Sequence, residues 1–181
     1  MNERLMSNIN NFNNYVTDWA AQLDATKKCP YAKPASDNNR IKKVVVSCTN
    51  SYKYWSAVYN EAEQFNDSND VVMIAIPTDA ELITNEQHNG GCDSFNGWGN
   101  SNSIDLWALN LYVEDWTIVL LQRLSVLDDA SKVFEQQGHY EDYIPYLYNK
   151  FILTRRKLKP KLFSQKLMMR IRKSTMNQRL L

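Results

Sequence analysis

Glycine, cysteine and histidine are scarce in this chain, and each scarcity removes a class of protein. Of the five glycines in 181 residues, four fall within residues 90–99. That stretch, "GGCDSFNGWG", has neither the GxGxxG spacing nor the GK[ST] ending of a phosphate-cradling loop. Three cysteines, Cys29, Cys48 and Cys92, form an odd set without a CxxC pair, which argues against a disulfide scaffold. Two histidines, His88 and His139, leave most general-base schemes short of partners, and no Ser-His-Asp or Cys-His arrangement declares itself by spacing. The longest apolar runs, "VVMIAI" and "TIVLL", fall far short of the roughly 20 residues a membrane span requires. With no charged-then-apolar leader at its start, the chain is expected to be soluble and cytoplasmic, in a reducing compartment.

A further absence is acidic residues near the C-terminus. From Tyr143 to Leu181 there is no Asp or Glu, against eleven cations: Lys150, Arg155, Arg156, Lys157, Lys159, Lys161, Lys166, Arg170, Arg172, Lys173 and Arg179. The formal net charge of +1 therefore conceals a body of −10, with ten basic and twenty acidic residues, joined to a tail of +11.

What the chain has is apolar and aromatic mass. Hydrophobic residues make up 44% and aromatic residues 12%, which suits one packed domain able to bury roughly 70% of its unfolded surface. Phe12, Tyr15, Val16, Trp19, Ala20 and Leu23 recur at helical spacing and predict an amphipathic helix over Asn11 to Lys27. Pro30 ends it, making "KKCPYAKPAS" a proline-pinned turn. "IKKVVVSC" and "DVVMIAIP" read as strands, with a helix between them whose face is Tyr52, Trp55, Tyr59, Ala62 and Phe65. His88 to Ser103 reads as a long loop. Ile104, Trp107, Ala108, Leu111 and Tyr112 then form a helical stripe. "TIVLLQRL" is a third strand candidate or an extension of that helix. A further helix runs from Leu127 through Phe134, stops at Gly138 and resumes over Tyr143 to Lys157. This order predicts an α/β or α+β domain over residues 1–158, a small three-to-four-stranded sheet covered by helices, followed by a basic helical tail over 159–181.

The loop leaves the second strand, where layered folds collect ligands. His88, Cys92 and Asp93, joined by Cys48 if the first two strands are parallel, could converge there, and Cys92 with His88 are the candidate soft-metal ligands, although their spacing matches no standard zinc pattern. The alternative is a surface loop anchored by Trp98. His139, beside Glu141 and Asp142, is a candidate axial ligand or general base, or simply an exposed residue between helices. Cys29 lies beside Lys27 and Lys28, which favour a thiolate, but at a helix C-terminus, which opposes one.

At "CPYAKPA" the chain resembles bacterial proteins with a Cys-Pro-aromatic-Ala turn between an N-terminal helix and the first strand, among them the YqcI/YcgG-like haem protein family. The similarity continues in order through Leu106–Trp107 and "VFEQQGHYEDY" to a basic stretch ending "RRKL". It implies a small haem-dependent oxidative enzyme acting on a nitrogen-containing small molecule. The loop and Trp98 would wall its pocket, Asp93 or Glu114 would bind a cationic nitrogen, and His139 would join Asp93 as a catalytic residue. Those families carry a His-Pro pair after the last strand, where this chain has "QRLSVLDD". Haem would then need another ligand, with Cys29 and His139 as candidates, or the cofactor has been lost.

The tail supports a reading of another class. Its cations, Arg155, Arg156, Lys157, Lys159, Lys161, Arg170, Arg172 and Lys173 prominent among them, suit nucleic acid, an anionic membrane surface or an acidic partner. In "LFSQKLMMRIRK", Phe163, Leu167, Met168 and Ile171 share a helical face, as in a membrane-surface or partner-binding helix. The competing possibility is that the tail folds back on its own acidic body.

Overall fold

The computed structural model describes residues 3–26, 29, 32–48, 50–65, 68–77, 82–102, 104–113, 115–139 and 141. Lys27, Lys28, Pro30, Glu114, the continuation helix over Tyr143 to Lys157, the boundary near Leu158 and every tail cation lie outside them.

The elements are α1 (Glu3–Ala25), α2 (Ala32–Asp37), β1 (Ile41–Val45), α3 (Ser51–Glu63), β2 (Val71–Pro77), α4 (Asn85–Ser101), β3 (Trp107–Val113), β4 (Trp116–Gln122) and α5 (Leu124–Gln136). They build one four-stranded mixed sheet in the order β1-β2-β4-β3, an α+β fold. β1 and β2 run parallel with α3 between them in sequence, and β4 is antiparallel to both β2 and β3.

Strand alternation sorts the core into two layers. Val71, Met73 and Ala75 of β2, with Trp116, Ile118 and Leu120 of β4, pack with Phe12 and Val16 of α1, Ala35 of α2 and Leu127 of α5. Val72, Ile74 and Ile76, with Val119 and Leu121, face Tyr54, Val58 and Ala62 of α3 and Cys92 of α4. Every residue of β2 except Pro77, and every residue of β4, is buried. That explains why both read as unbroken apolar runs rather than alternating ones.

Local chemistry sets the ends. α2 stops in a left-handed cap: Asn39 takes φ 55°, and the Arg40 N–H reaches the Ala35 carbonyl at 2.7 Å. The α3 N-terminus is capped by Asn50, whose side chain accepts from the Lys53 N–H. Gly138, at φ 76°, follows the end of α5 as its position in the sequence anticipates. One end of the sheet is stapled by Asp70, which accepts from Arg40 at 2.7 and 2.8 Å and lies 3.4 Å from Arg123.

Three expectations are corrected. The long loop is helix α4, held by a Thr84–Gln87 capping box and by burial of His88, Cys92 and Gly99. The expected helical stripe from Ile104 to Tyr112 is strand β3. Trp107, Leu109, Leu111 and Val113 pack toward the α1 side and Ala108 toward the α3 side; apolar residues on both faces disguise the period of two. In α3, Tyr52 and Tyr59 are exposed and the buried positions are Tyr54, Val58 and Ala62. A tyrosine keeps a polar tip at the surface, and Tyr59 donates to Glu63. α1 also begins earlier than Asn11, in a segment of good helix formers (Glu3, Arg4, Leu5, Met6). "TIVLLQRL" resolves as a strand, with α5 starting at its final leucine.

Candidate functional site

His88 is fully buried in the first turns of α4, facing the layer between α3 and the sheet. Its Nε2 lies 3.2 Å from the Tyr54 hydroxyl of α3, and its Nδ1 lies 2.9 Å from the Tyr112 hydroxyl of β3. Three elements thus meet at one imidazole.

Either neutral tautomer satisfies the triad. If Nε2 carries the hydrogen it donates to Tyr54, whose own O–H is 3.3 Å from the Ile74 carbonyl, while Nδ1 accepts from Tyr112. If Nδ1 carries it, the Tyr112 O–H turns to the Asn85 carbonyl at 3.4 Å and Tyr54 donates to Nε2. A protonated ring has two donors and no acceptor, so Tyr54 and Tyr112 would both have to accept. Burial lowers the His88 pKa to about 4, so the ring is neutral near pH 7.

The neighbours are aromatic and uncharged. The Trp55 ring centroid lies 5.7 Å from His88 and 5.8 Å from Phe95, and the chain continues through Trp98 to Tyr59 at 5.3 Å. Gly91 is dictated by this packing: a Cβ there would come within 2.2 Å of the Trp55 ring. Cys92 is buried one turn after His88, and burial, aided by the Asp93 charge, pushes its thiol up to about 12. Burial also raises Cys48 and, strongly, Tyr54. The Tyr112 hydroxyl is raised by burial, partly offset by a hydrogen bond from the Asn110 side chain. The cluster thus holds a neutral imidazole bridged to two tyrosine hydroxyls, beside thiols whose protonated forms burial favours.

The residues singled out in the sequence are distributed as follows. His88 and Cys92 both face this layer, and Cys48 packs against the same cluster. Asp93, next to Cys92, is exposed. Trp98 is half-buried between Tyr59 and Phe95. Cys29 packs against the cluster on the opposite face of the sheet. His139 follows α5, which covers that opposite face; its ring lies tilted against Phe134 with centroids 4.6 Å apart, and its Nε2 is 3.1 Å from Gln137. Asp93 and His139 therefore belong to helices on opposite sides of the sheet.

Axial ligation or soft-metal binding needs a ring nitrogen lone pair or a thiolate. In this arrangement both His88 ring nitrogens lie within hydrogen-bond reach of tyrosine hydroxyls, and burial raises the Cys92 thiol. Among the described residues, no group of three or more His, Cys, Asp or Glu side chains comes together. No described helix is long and apolar enough to cross a membrane. Of the residues that complete the cluster, Tyr112 carried no signal beyond membership of an apolar stripe, and Tyr54 fell outside the face read for its helix.

Comparison of the chain with protein-family models, with curated proteins and with solved structures yields no match in any of the three.

Proposed function

We propose that the protein is a nucleic-acid-binding protein that engages phosphates through its C-terminal cationic segment. The carrying observation is the charge partition: +11 over residues 143–181 without a single carboxylate, against −10 over the rest. In the body, burial holds the His88 imidazole neutral near pH 7 with both ring nitrogens turned to tyrosine hydroxyls and raises the Cys92 thiol, so neither is open to a substrate as base or nucleophile. Six of the eleven cations, Lys150 to Lys161, precede the apolar stripe of Phe163 to Ile171. Charge, rather than an amphipathic face, is what the whole segment shares, and this favours phosphates over a membrane surface. Binding displaces condensed counterions, while the acidic body competes for the same cations.

The test is fluorescence anisotropy of a labelled DNA duplex with the full chain across a salt series. The expected result is a linear fall of log K with log salt, made shallower by about three when Arg155, Arg156 and Lys157 are all changed to Gln. Absence of binding at low salt, or binding only to anionic vesicles, overturns the proposal. The oxidative reading rests on the resemblance at "CPYAKPA" and is tested on the same sample. A Soret band on haemin addition, displaced in Cys29→Ala or His139→Ala, would replace nucleic-acid binding with haem chemistry.

A further inference from the structure

The two edges of the sheet are treated differently. β1 carries Lys42, paired with Glu61 at 2.6 Å, and the exposed Lys43. Such charges discourage another strand from pairing there. β3, "WALNLYV", carries no charge, proline or glycine over seven residues.

The register of the β3–β4 hairpin shows which of its backbone groups point outward. Val113 sits opposite Trp116 across a two-residue turn, so residues 107, 109, 111 and 113 bond to β4 while 108, 110 and 112 turn their N–H and C=O away. Ala108 confirms this: its N–H donates to Asn96 Oδ1 at 2.6 Å, and its carbonyl accepts from Asn96 Nδ2 at 3.0 Å. The α4 side chain thereby covers one edge position as a paired strand would. Among the described residues, no backbone hydrogen bond reaches the outward groups of Asn110 or Tyr112. On the α1 side of the same strand, Leu109, Leu111 and Val113 are only half-buried.

We propose that the outer edge of β3 is a self-association surface, on which two copies pair antiparallel about a two-fold axis at Leu111 and join their sheets into one of eight strands. The strand is self-complementary in this register. Asn110 meets the partner's Tyr112, and both have outward groups, so the two symmetric pairs exchange four backbone hydrogen bonds. Ala108 lies beyond these pairs, leaving the Asn96 clamp in place. Leu109 comes opposite the partner's Val113 and Leu111 opposite the partner's Leu111, so each half-exposed stripe covers the other. No charge on either strand meets another. A symmetric interface of this kind closes at two copies and leaves no further β3 edge exposed.

The test is mass measurement by light scattering on the full chain, at salt high enough to screen tail–body attraction. The expected result is a dimer. Asn110→Pro removes an outward donor, together with the side chain that hydrogen-bonds the Tyr112 hydroxyl, and is expected to give a monomer with an unchanged far-ultraviolet spectrum, as edge positions tolerate proline. Because position 111 faces itself, Leu111→Lys and Leu111→Glu are each expected to be monomeric alone and to form a heterodimer on mixing. A monomeric parent protein, an Asn110→Pro variant that still dimerises, or charge variants that fail to pair would each overturn the proposal. The mixing experiment decides the question even if Asn110→Pro does not fold.

Discussion

At the scale of single residues, His88 joins three elements, and burial favours its neutral form. Its pKa falls from an ordinary 6.5 to about 4 in the folded protein. The unfolded state therefore binds a proton first as the medium is acidified. The stability associated with neutral His88 is fully present above pH 6.5 and is lost as pH falls from there to about 4, reaching about 3 kcal/mol at the low end. Urea unfolding of the parent and of His88→Phe at pH 7.5 and pH 5 checks this: the parent should lose more stability between the two pH values than the variant. The two tyrosines should behave unequally. Tyr54 is fully buried, so Tyr54→Phe leaves His88 Nε2 without its partner and should cost about 1–3 kcal/mol. Tyr112 is half-exposed, water can replace its hydroxyl, and Tyr112→Phe should cost less in the same urea series.

At the scale of elements, α4 is a helix held against its own composition. Four glycines in 17 residues disfavour it by about 1 kcal/mol each relative to alanine. They are not equivalent. A Cβ at Gly90 or Gly97 meets nothing within 4 Å, whereas one at Gly91 would collide with the Trp55 ring. Gly90→Ala and Gly97→Ala should each raise stability by about 0.5–1 kcal/mol, and Gly91→Ala should lower it, as read by thermal unfolding. This element also shows where local reading fails. Glycine density argues for a loop, but the capping box at Thr84 and the burial of His88 and Cys92 outweigh it. β3 fails in the opposite sense: apolar residues at 107, 108, 109 and 111 fit a helical stripe as well as a strand, and hydrogen bonding to β4 settles the matter. By contrast, α1 was legible because its buried positions Phe12, Val16 and Ala20 recur at four-residue spacing.

At the scale of the whole molecule, the proposed phosphate binding and the proposed β3 pairing would reinforce one another. A dimer carries two cationic tails, and linked sites gain affinity through effective concentration whenever the ligand can span both. Asn110→Pro should therefore weaken binding to a long duplex while leaving binding to a duplex too short to engage two tails nearly unchanged. Anisotropy with the two lengths at one salt concentration checks this.

Composition and short-range patterning carried a layered domain of the α/β or α+β kind, the stop at Gly138 and the separation of a basic tail from an acidic body, because each depends on residues near one another in the chain; strand pairing then decided for α+β. The His88 triad could not be read in that way. Its partners lie 34 and 24 residues away on other elements, and sheet register and helix packing bring the two hydroxyls to opposite sides of one ring. The outermost place of β3 has the same origin: β4 inserts between β2 and β3, and that strand order leaves an uncharged strand at the margin of the sheet.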